Sequence, residues 1–154
     1  MDKEQAGTLV FGFFNEIGIV SQLASALFTR LIPLGLHLSH FIVLNHLARL
    51  GDGRTPLQIA NALQVTKATM THTLTVLGRH GFVAIEPHPT DRRSKLVRLT
   101  PEGRAFRDDA IARLAPAFQF VIEGVSADEL LTALPVLEKV RKLLDAERDA
   151  PSIG

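Results

Sequence analysis

The fold of this chain is decided by residues 55–103, which read TPLQIANALQVTKATMTHTLTVLGRHGFVAIEPHPTDRRSKLVRLTPEG. Along this stretch a short helix, a tight turn and a second helix are followed by a hairpin with a basic tip. That order predicts a helix-turn-helix with a wing. In such a unit the second helix fits the major groove of DNA, and a basic hairpin tip can reach the neighbouring backbone or the minor groove.

Both helices of this unit begin at strong start signals. Thr55 and Gln58 form a capping box around a proline at the first helical position, which predicts a helix over residues 56–63. Thr66 is an N-cap residue and predicts the second helix over residues 67–80. The two residues before Thr66 form the turn between the helices.

The outward face of the second helix has an uncommon composition. Met70, Leu74 and Leu77 form its inward face by their spacing. Threonine is a poor helix former, so four outward threonines indicate a functional role for this face. Their short hydroxyl and methyl groups suit contact with base edges and phosphates. The alternative is a threonine-rich surface without function. The predicted DNA contacts on this face are Thr66, Lys67, Thr69, Thr71, His72 and Thr75.

The hairpin is predicted from two short apolar strands, residues 82–85 and 95–99, separated by proline and aspartate. At its tip, we expect one arginine of the Arg92-Arg93 pair to bind Asp91 and stiffen the turn. The other arginine would project, and a planar, always charged guanidinium suits a narrow minor groove. A charged hairpin that only prevents edge aggregation is the alternative. The returning strand adds two candidate phosphate contacts, Lys95 and Arg98.

Charge is segregated onto the same unit. The whole chain has a net charge of +1, yet residues 54–104 hold eight lysines and arginines against three acids, which leaves +5 there and −4 elsewhere. Segregation of this kind is typical of a phosphate-binding face, although a chance imbalance on a solvated surface gives the same numbers.

The flanking sequence predicts helices on both sides of the winged unit. Apolar residues at helical spacing predict a long helix over residues 6–32, and Ser39 is expected to cap a helix over about residues 40–50. After the hairpin, a cap followed by proline predicts a helix over residues 101–122, kinked at Pro116. A further capping box starts a last helix. The predicted fold class is therefore mainly α with a small β-hairpin wing, a winged helix-turn-helix with flanking helices.

Composition limits the remaining classes of protein. The chain has 154 residues, of which 46% are apolar, enough for one domain with helical extensions and a buried subunit interface. It has no cysteine, which excludes disulfides, thiol-redox switches and thiolate metal sites. Polar residues interrupt the most apolar stretch, residues 9–38, so no membrane span is expected, and the first residues lack the basic region of a signal peptide. We expect a cytoplasmic protein without a cofactor.

Residues 55–103 resemble the MarR family of bacterial transcriptional regulators. The most specific part of the resemblance is the wing tip, Asp91-Arg92-Arg93-Ser94-Lys95, together with the run that opens the next helix, Leu99-Thr100-Pro101-Glu102-Gly103. The two helices of the winged unit match in the runs Leu57-Gln58-Ile59-Ala60 and Val65-Thr66-Lys67-Ala68-Thr69-Met70-Thr71. The flanking predicted helices fit the family in order and length.

The resemblance implies a homodimer that binds a palindromic operator in double-stranded DNA. Residues 1–34 would be an N-terminal dimerisation helix, residues 35–100 the DNA-binding domain and residues 101–154 the C-terminal dimerisation helices. It also implies repression that is relieved by a small-molecule effector.

Three sites depart from the family pattern. His72 stands where members often have arginine, Gly78 replaces a common glutamate, and Ala84-Ile85-Glu86 stands where basic residues are usual before the wing. Glu86 would repel phosphate if it faced DNA. His72 adds charge only on protonation, so operator affinity is expected to rise as the pH falls toward about 6.

An effector pocket is predicted between the N-terminal helix, the second helix and the start of the helix after the wing. Its apolar lining favours an aromatic or hydrophobic ligand, although each residue alone also fits the core or a dimer interface. The six histidines lack metal-ligand spacing, so no metal is expected. The candidate lining residues are Phe13, Phe14, Ile17, His37, Phe41 and Phe106.

An enzyme and a protein-binding module are the two alternative classes of function. An enzyme is not expected, because the chain has no nucleophile with a nearby base, no carboxylate pair in a glycine-marked turn and no phosphate loop. A winged helix that binds protein without specific DNA binding would expose an acidic or apolar wing, the opposite of the basic tip. A steep salt dependence of duplex binding distinguishes the DNA-binding hypothesis from both.

Overall fold

The computed structural model describes residues 2–149. In these residues four helices precede a two-stranded antiparallel sheet, and three helices follow it. This arrangement confirms the predicted fold class. The elements are α1 (Lys3–Leu31), α2 (Leu38–Leu50), α3 (Pro56–Ala62), α4 (Lys67–Arg79), β1 (Val83–Pro87), β2 (Lys95–Leu99), α5 (Pro101–Ala117), α6 (Gln119–Gly124) and α7 (Ala127–Asp149).

The caps that begin α3 and α4 are those that the sequence predicts. The Thr55 hydroxyl accepts a hydrogen bond from the Gln58 backbone N–H at 3.2 Å, and the Gln58 side chain accepts one from the Thr55 N–H at 2.9 Å. The Thr66 hydroxyl likewise accepts from the Thr69 N–H at 3.1 Å. These side chains satisfy amides that lack partners in the first helical turn, which fixes where both helices start.

Two boundaries differ from the sequence prediction. Helix α2 begins at Leu38 with His37 as its N-cap, so the prediction that Ser39 caps it is wrong. The backbone N–H of His37 donates to Nδ1 of His40 at 3.0 Å. The imidazole nitrogen accepts this hydrogen bond in the way that a glutamate side chain does in the usual capping box. The single helix predicted over residues 101–122 is divided at Phe118, after Pro116, whose ring removes one backbone donor.

The hairpin is anchored to the helices through its second strand. Strand β1 pairs with β2 from Val83 opposite Leu99 to Pro87 opposite Lys95. On the other edge of β2, the Val97 N–H donates to the Arg54 carbonyl at 2.9 Å. The wing therefore continues from a small sheet that is fixed to the segment between α2 and α3.

The start of α5 lies against the start of the hairpin. The Thr100 hydroxyl donates to the Gly81 carbonyl at 2.6 Å and accepts from the Gly103 N–H at 3.0 Å. A Cβ added at Gly103 would lie 2.1 Å from the Phe82 carbonyl oxygen. Only glycine fits this approach, which explains physically why a glycine follows two residues after the proline that opens α5.

The core lies where α2, α3 and α4 meet the sheet. The Phe28 and Phe41 rings are 4.8 Å apart and join the end of α1 to α2, while Phe82 and Phe106 stack at 4.5 Å and join the hairpin to α5. The largest fully buried side chains are Leu44, Leu47, Ile59, Met70, Leu74, Leu77, Val43 and Val97.

Packing divides the chain into two units, one that ends at Leu114 and one that begins at Ala115. The first unit contains the winged helix-turn-helix and α1. In the second unit, most described side chains are exposed, including the apolar residues Leu131, Leu134 and Leu143 of α7.

Helix α1 exposes a large apolar surface along most of its length. Leu9, Phe11 and Leu23 are 64%, 72% and 68% exposed, and no α1 residue is fully buried. By length and composition alone, this helix could also cross a membrane, which differs from the expectation that polar interruptions exclude a span. Its last turns, however, pack onto α2 through Phe28.

Candidate nucleic-acid interface

Helix α4 presents the six predicted contact residues on its exposed side. Met70, Leu74 and Leu77 are buried against the core, as predicted, and Thr73 joins them with 5% of its surface exposed. All six residues predicted to face DNA are exposed: Thr66, Lys67, Thr69, Thr71, His72 and Thr75. The packing of α4 thus orients this face outward, as contact with a groove requires.

The Thr71 and Thr75 hydroxyls on this face already use their protons, whereas the Thr66 and Thr69 hydroxyls share one hydrogen bond at 2.9 Å, in which only one of them donates. Thr71 donates to the Lys67 carbonyl at 2.9 Å, and Thr75 donates to the Thr71 carbonyl at 2.8 Å. Their oxygens keep free lone pairs, and their methyl groups stay exposed. In this state the face can accept hydrogen bonds from base amino groups and touch thymine methyls, whereas donation to a base requires rotation of the hydroxyl.

The wing tip is held by Asp91 through a different partner from the one expected. The Asp91 carboxylate accepts from the Ser94 hydroxyl at 2.6 Å and from the Arg93 backbone N–H at 3.0 Å. These two donors, the hydroxyl first, hold the pKa of the Asp91 carboxyl below its usual value. The predicted pairing of Asp91 with an arginine side chain is therefore wrong in this state.

Both wing arginines project instead of one. Arg92 and Arg93 are exposed, and within residues 2–149 neither guanidinium forms an ion pair with an acidic side chain. Because Ser94 takes the role expected of one arginine, two charged groups at the tip can bind phosphates or enter a groove.

Arg98 is engaged with Glu86 in the free protein. Its Nε lies 2.5 Å from the Glu86 carboxylate, across the strands on a diagonal of the ladder. This hydrogen bond raises the pKa of Arg98 above its usual value. The pair neutralises the acid that departs from the family pattern, and it also occupies a residue predicted to bind phosphate.

The exposed face of α4 and the wing meet in a cleft of about 480 Å³. Lys67 and Thr71 line it from α4, and Arg93 and Lys95 line it from the wing. No acidic side chain is present among the residues described along this cleft. Two elements far apart in sequence thus converge on one cationic surface.

His88 lies at the base of the wing tip, and its contacts there are not among those predicted from the sequence. Its Nδ1 lies 3.2 Å from the Thr90 N–H and 3.1 Å from the Asp91 N–H. In this turn a side chain accepts hydrogen bonds from the backbone amides two and three residues further along a proline-containing segment. Aspartate and asparagine usually form this pattern. That pattern is the signal that would have identified His88.

The six residues predicted to line an effector pocket lie in separate environments. Phe13 and Phe14 touch each other on α1 at 5.7 Å between ring centroids, and Phe14 is 41% exposed. His37 is the exposed N-cap of α2. Phe41 and Phe106 are buried in the core, and Ile17 is half-buried on α1. The pocket stays a prediction.

No group of three histidine, cysteine, aspartate or glutamate side chains within residues 2–149 is arranged to hold a metal ion. His40 is 6% exposed, and its Nε2 has no hydrogen-bond partner in the part of the chain that the structure describes. Burial lowers the pKa of His40, and the neighbouring His37 lowers it further.

Comparison with known proteins points to one family. A sequence model of the MarR family matches residues 34–94, which include α2, α3, α4 and most of the wing. The structure is similar to that of MarR from E. coli in its apo form, with 29% identity and a TM-score of 0.70 over 82% of this chain and 94% of that one.

Two further solved structures are similar, one in complex with DNA and one of a protein whose DNA binding a small molecule regulates. A mutant of E. coli MarR complexed with operator DNA is 28% identical, with a TM-score of 0.67 over 85% of this chain and 94% of that one. BpsR of Bordetella bronchiseptica, whose DNA binding is regulated by 6-hydroxynicotinic acid, is 25% identical, with a TM-score of 0.67 over 84% of this chain and 98% of that one.

Proposed function

Since the chain belongs to the MarR family of winged helix-turn-helix, DNA-binding transcriptional regulators, we propose that it is a homodimeric repressor that binds a palindromic operator and is released by a small hydrophobic or aromatic ligand. The observation that supports DNA binding most directly is the cleft in which Lys67 of α4 faces Arg93 and Lys95 of the wing. Helix α4 would enter the major groove, and Arg92 and Arg93 would reach the adjacent backbone or minor groove.

The proposed dimer is supported by apolar surface that the single chain leaves exposed. Helix α1 exposes Leu9, Phe11 and Leu23, and α7 exposes Leu131 and Leu143. Exposed apolar side chains in this number on a helix are typical of an interaction site in soluble proteins. A second copy of the chain would cover it and hold two α4 helices about 34 Å apart, one turn of DNA. We therefore place the protein in the cytoplasm rather than in a membrane.

The proposed effector is a small aromatic compound. BpsR, which shares this fold at 25% identity, is regulated by one such compound. The predicted lining, Phe13, Phe14, Ile17, His37, Phe41 and Phe106, is mostly apolar and aromatic, and a second subunit would have to complete it. Ligand release is tested by adding aromatic carboxylates to the protein bound to its operator and measuring the loss of the complex.

The salt dependence of duplex binding tests the DNA-binding part of the proposal. Each neutralised phosphate contributes about 0.9 to the log–log slope, so wild type should give a slope of several units. Arg92→Ala and Arg93→Ala should each weaken binding and flatten the slope by about two units, because each substitution removes one phosphate contact from both subunits of the dimer. The matched control is Arg141→Ala, which removes a cation from α7 and should leave the slope unchanged. A flat salt response of wild type would contradict the proposal.

A further inference from the structure

The loop at the wing tip, residues 88–94, is organised by two side-chain acceptors. The His88 N–H donates to the Ser94 carbonyl at 3.1 Å and closes the loop. Inside it, Nδ1 of His88 accepts from the backbone N–H groups of Thr90 and Asp91, and the Thr90 hydroxyl lies 3.3 Å from the same atom. Asp91 then accepts from the Arg93 N–H and the Ser94 hydroxyl. Two backbone N–H groups of the loop therefore bind the imidazole, and one N–H group and one hydroxyl bind the carboxylate.

The backbone on either side of His88 is stiff. Pro87 and Pro89 flank it, so φ is fixed at both neighbours and the residues before each proline are kept out of the helical region. The imidazole is thereby presented to the loop from a rigid base. Arg92 and Arg93 follow immediately after the two amides that His88 binds.

From this geometry we propose that His88 is the positioning residue of the wing: its neutral imidazole holds residues 90 and 91 in the turn that presents Arg92 and Arg93 to duplex DNA. The inference rests on the proposed function, since it requires the wing arginines to contact DNA. His88 itself does not touch the nucleic acid in this role. It acts through the backbone of the loop.

The role of His88 depends on its protonation state. Nδ1 has one lone pair, which the two amides share, so the proton of the neutral ring resides on Nε2. A protonated imidazole has donors at both nitrogens and cannot accept these bonds. The turn is therefore held only while Nδ1 of His88 carries no proton.

The charged groups around His88 are known from the contacts of the wing. Asp91 lies beside the ring, since its backbone N–H donates to Nδ1 of His88. Arg92, Arg93 and Lys95 share the loop and the returning strand, and Lys67 of α4 lines the same cleft as Arg93 and Lys95. The Ser94 hydroxyl and the Arg93 N–H lower the pKa of the Asp91 carboxyl, which favours the ionised form that accepts both hydrogen bonds.

Matched substitutions at His88 test this role. In His88→Asn, the amide oxygen takes nearly the place of Nδ1 and accepts at every pH, whereas His88→Gln carries its oxygen one bond further out. We expect H88N to bind duplex within about twofold of wild type at pH 7.5, and H88Q and His88→Ala to bind about three- to tenfold more weakly.

Nitrogen-15 shifts of the imidazole in the free protein should show the Nε2–H tautomer. Equal binding by H88N and H88Q, or an Nδ1–H tautomer, would overturn the inference. Failure of wild type to bind any duplex would instead overturn the proposed function, and the positioning role with it.

Discussion

At the scale of single residues, the start of α5 shows why small changes there are costly. The Phe82 carbonyl accepts the Thr100 N–H at 3.1 Å, and the backbone of Gly103 lies so close to the same carbonyl that a Cβ has no room. The clash is with backbone rather than with a flexible side chain. The hairpin and α5 would have to separate to relieve it, which would disturb the Phe82–Phe106 stack.

We expect Gly103→Ala to lower the free energy of unfolding by about 2–4 kcal/mol, because overpacking against backbone forces the elements apart. Gly78→Ala is the matched control. Nothing lies within 4 Å of a Cβ at Gly78, so alanine should stabilise α4 by about 0.5–1 kcal/mol. Denaturant unfolding of the two variants measures both effects. Similar stabilities for the two variants would contradict the packing described for Gly103.

At the scale of elements, the wing is a hairpin whose charges are partly committed to one another. Glu86 and Arg98 pair across β1 and β2, while Arg92, Arg93 and Lys95 stay available. The pair is about half exposed, so it contributes little to stability. Its consequence is electrostatic, since it withholds one guanidinium from the surface proposed to face DNA.

Glu86→Gln is expected to strengthen duplex binding and to steepen its salt slope by about two units, because it removes an anion and releases Arg98 for a phosphate in both subunits of the dimer. Glu102→Gln removes an anion from the first turn of α5, where the structure gives it no ion pair with a described residue, and serves as control. Salt titrations by fluorescence anisotropy compare the variants. An identical slope for wild type and Glu86→Gln would show that Arg98 does not reach DNA even when it is free.

The helices that the sequence predicts correctly are those with local start signals. Thr55 with Gln58, and Thr66, lie within three residues of the amides that they cap, so the chain order alone reveals them. The division at Phe118 and the cap at His37 were missed, because proline permits either a kink or a stop and histidine is an uncommon cap.

The sequence predicts which faces of the site are exposed, but it does not predict which side chains pair with each other. The outward face of α4 follows from its periodicity. The Glu86–Arg98 pair depends on the strand register, which sets the diagonal contact, and the Asp91–Ser94 bond depends on the closed loop geometry. Neither register nor loop closure can be read from the spacing of charges.

At the scale of the whole molecule, folding and charge are linked through the buried His40. Its lowered pKa means that the folded chain binds a proton less readily than the unfolded chain. Stability is therefore complete above the unfolded value of about 6.5, and it falls as the pH drops below that value until the folded pKa is reached.

We expect the free energy of unfolding of wild type to decrease between about pH 6.5 and 5, by at most about 1.4 kcal/mol per pH unit from this group. His40→Asn keeps an acceptor for the His37 N–H and removes the titrating ring. Its stability should change less over the same range at a fixed protein concentration. Parallel pH profiles for the two proteins would rule out His40 as the source.

The central claim is that two copies of the winged unit read one palindromic duplex, with α4 and the wing of each copy on one half-site. Selection of bound sequences from random duplexes by the purified protein tests this claim most directly. The predicted result is an inverted repeat whose half-site centres lie about 10 base pairs apart, one turn of DNA, and whose enrichment is weakened by Arg92→Ala. Enrichment of no sequence, or of a single half-site without symmetry, would contradict it.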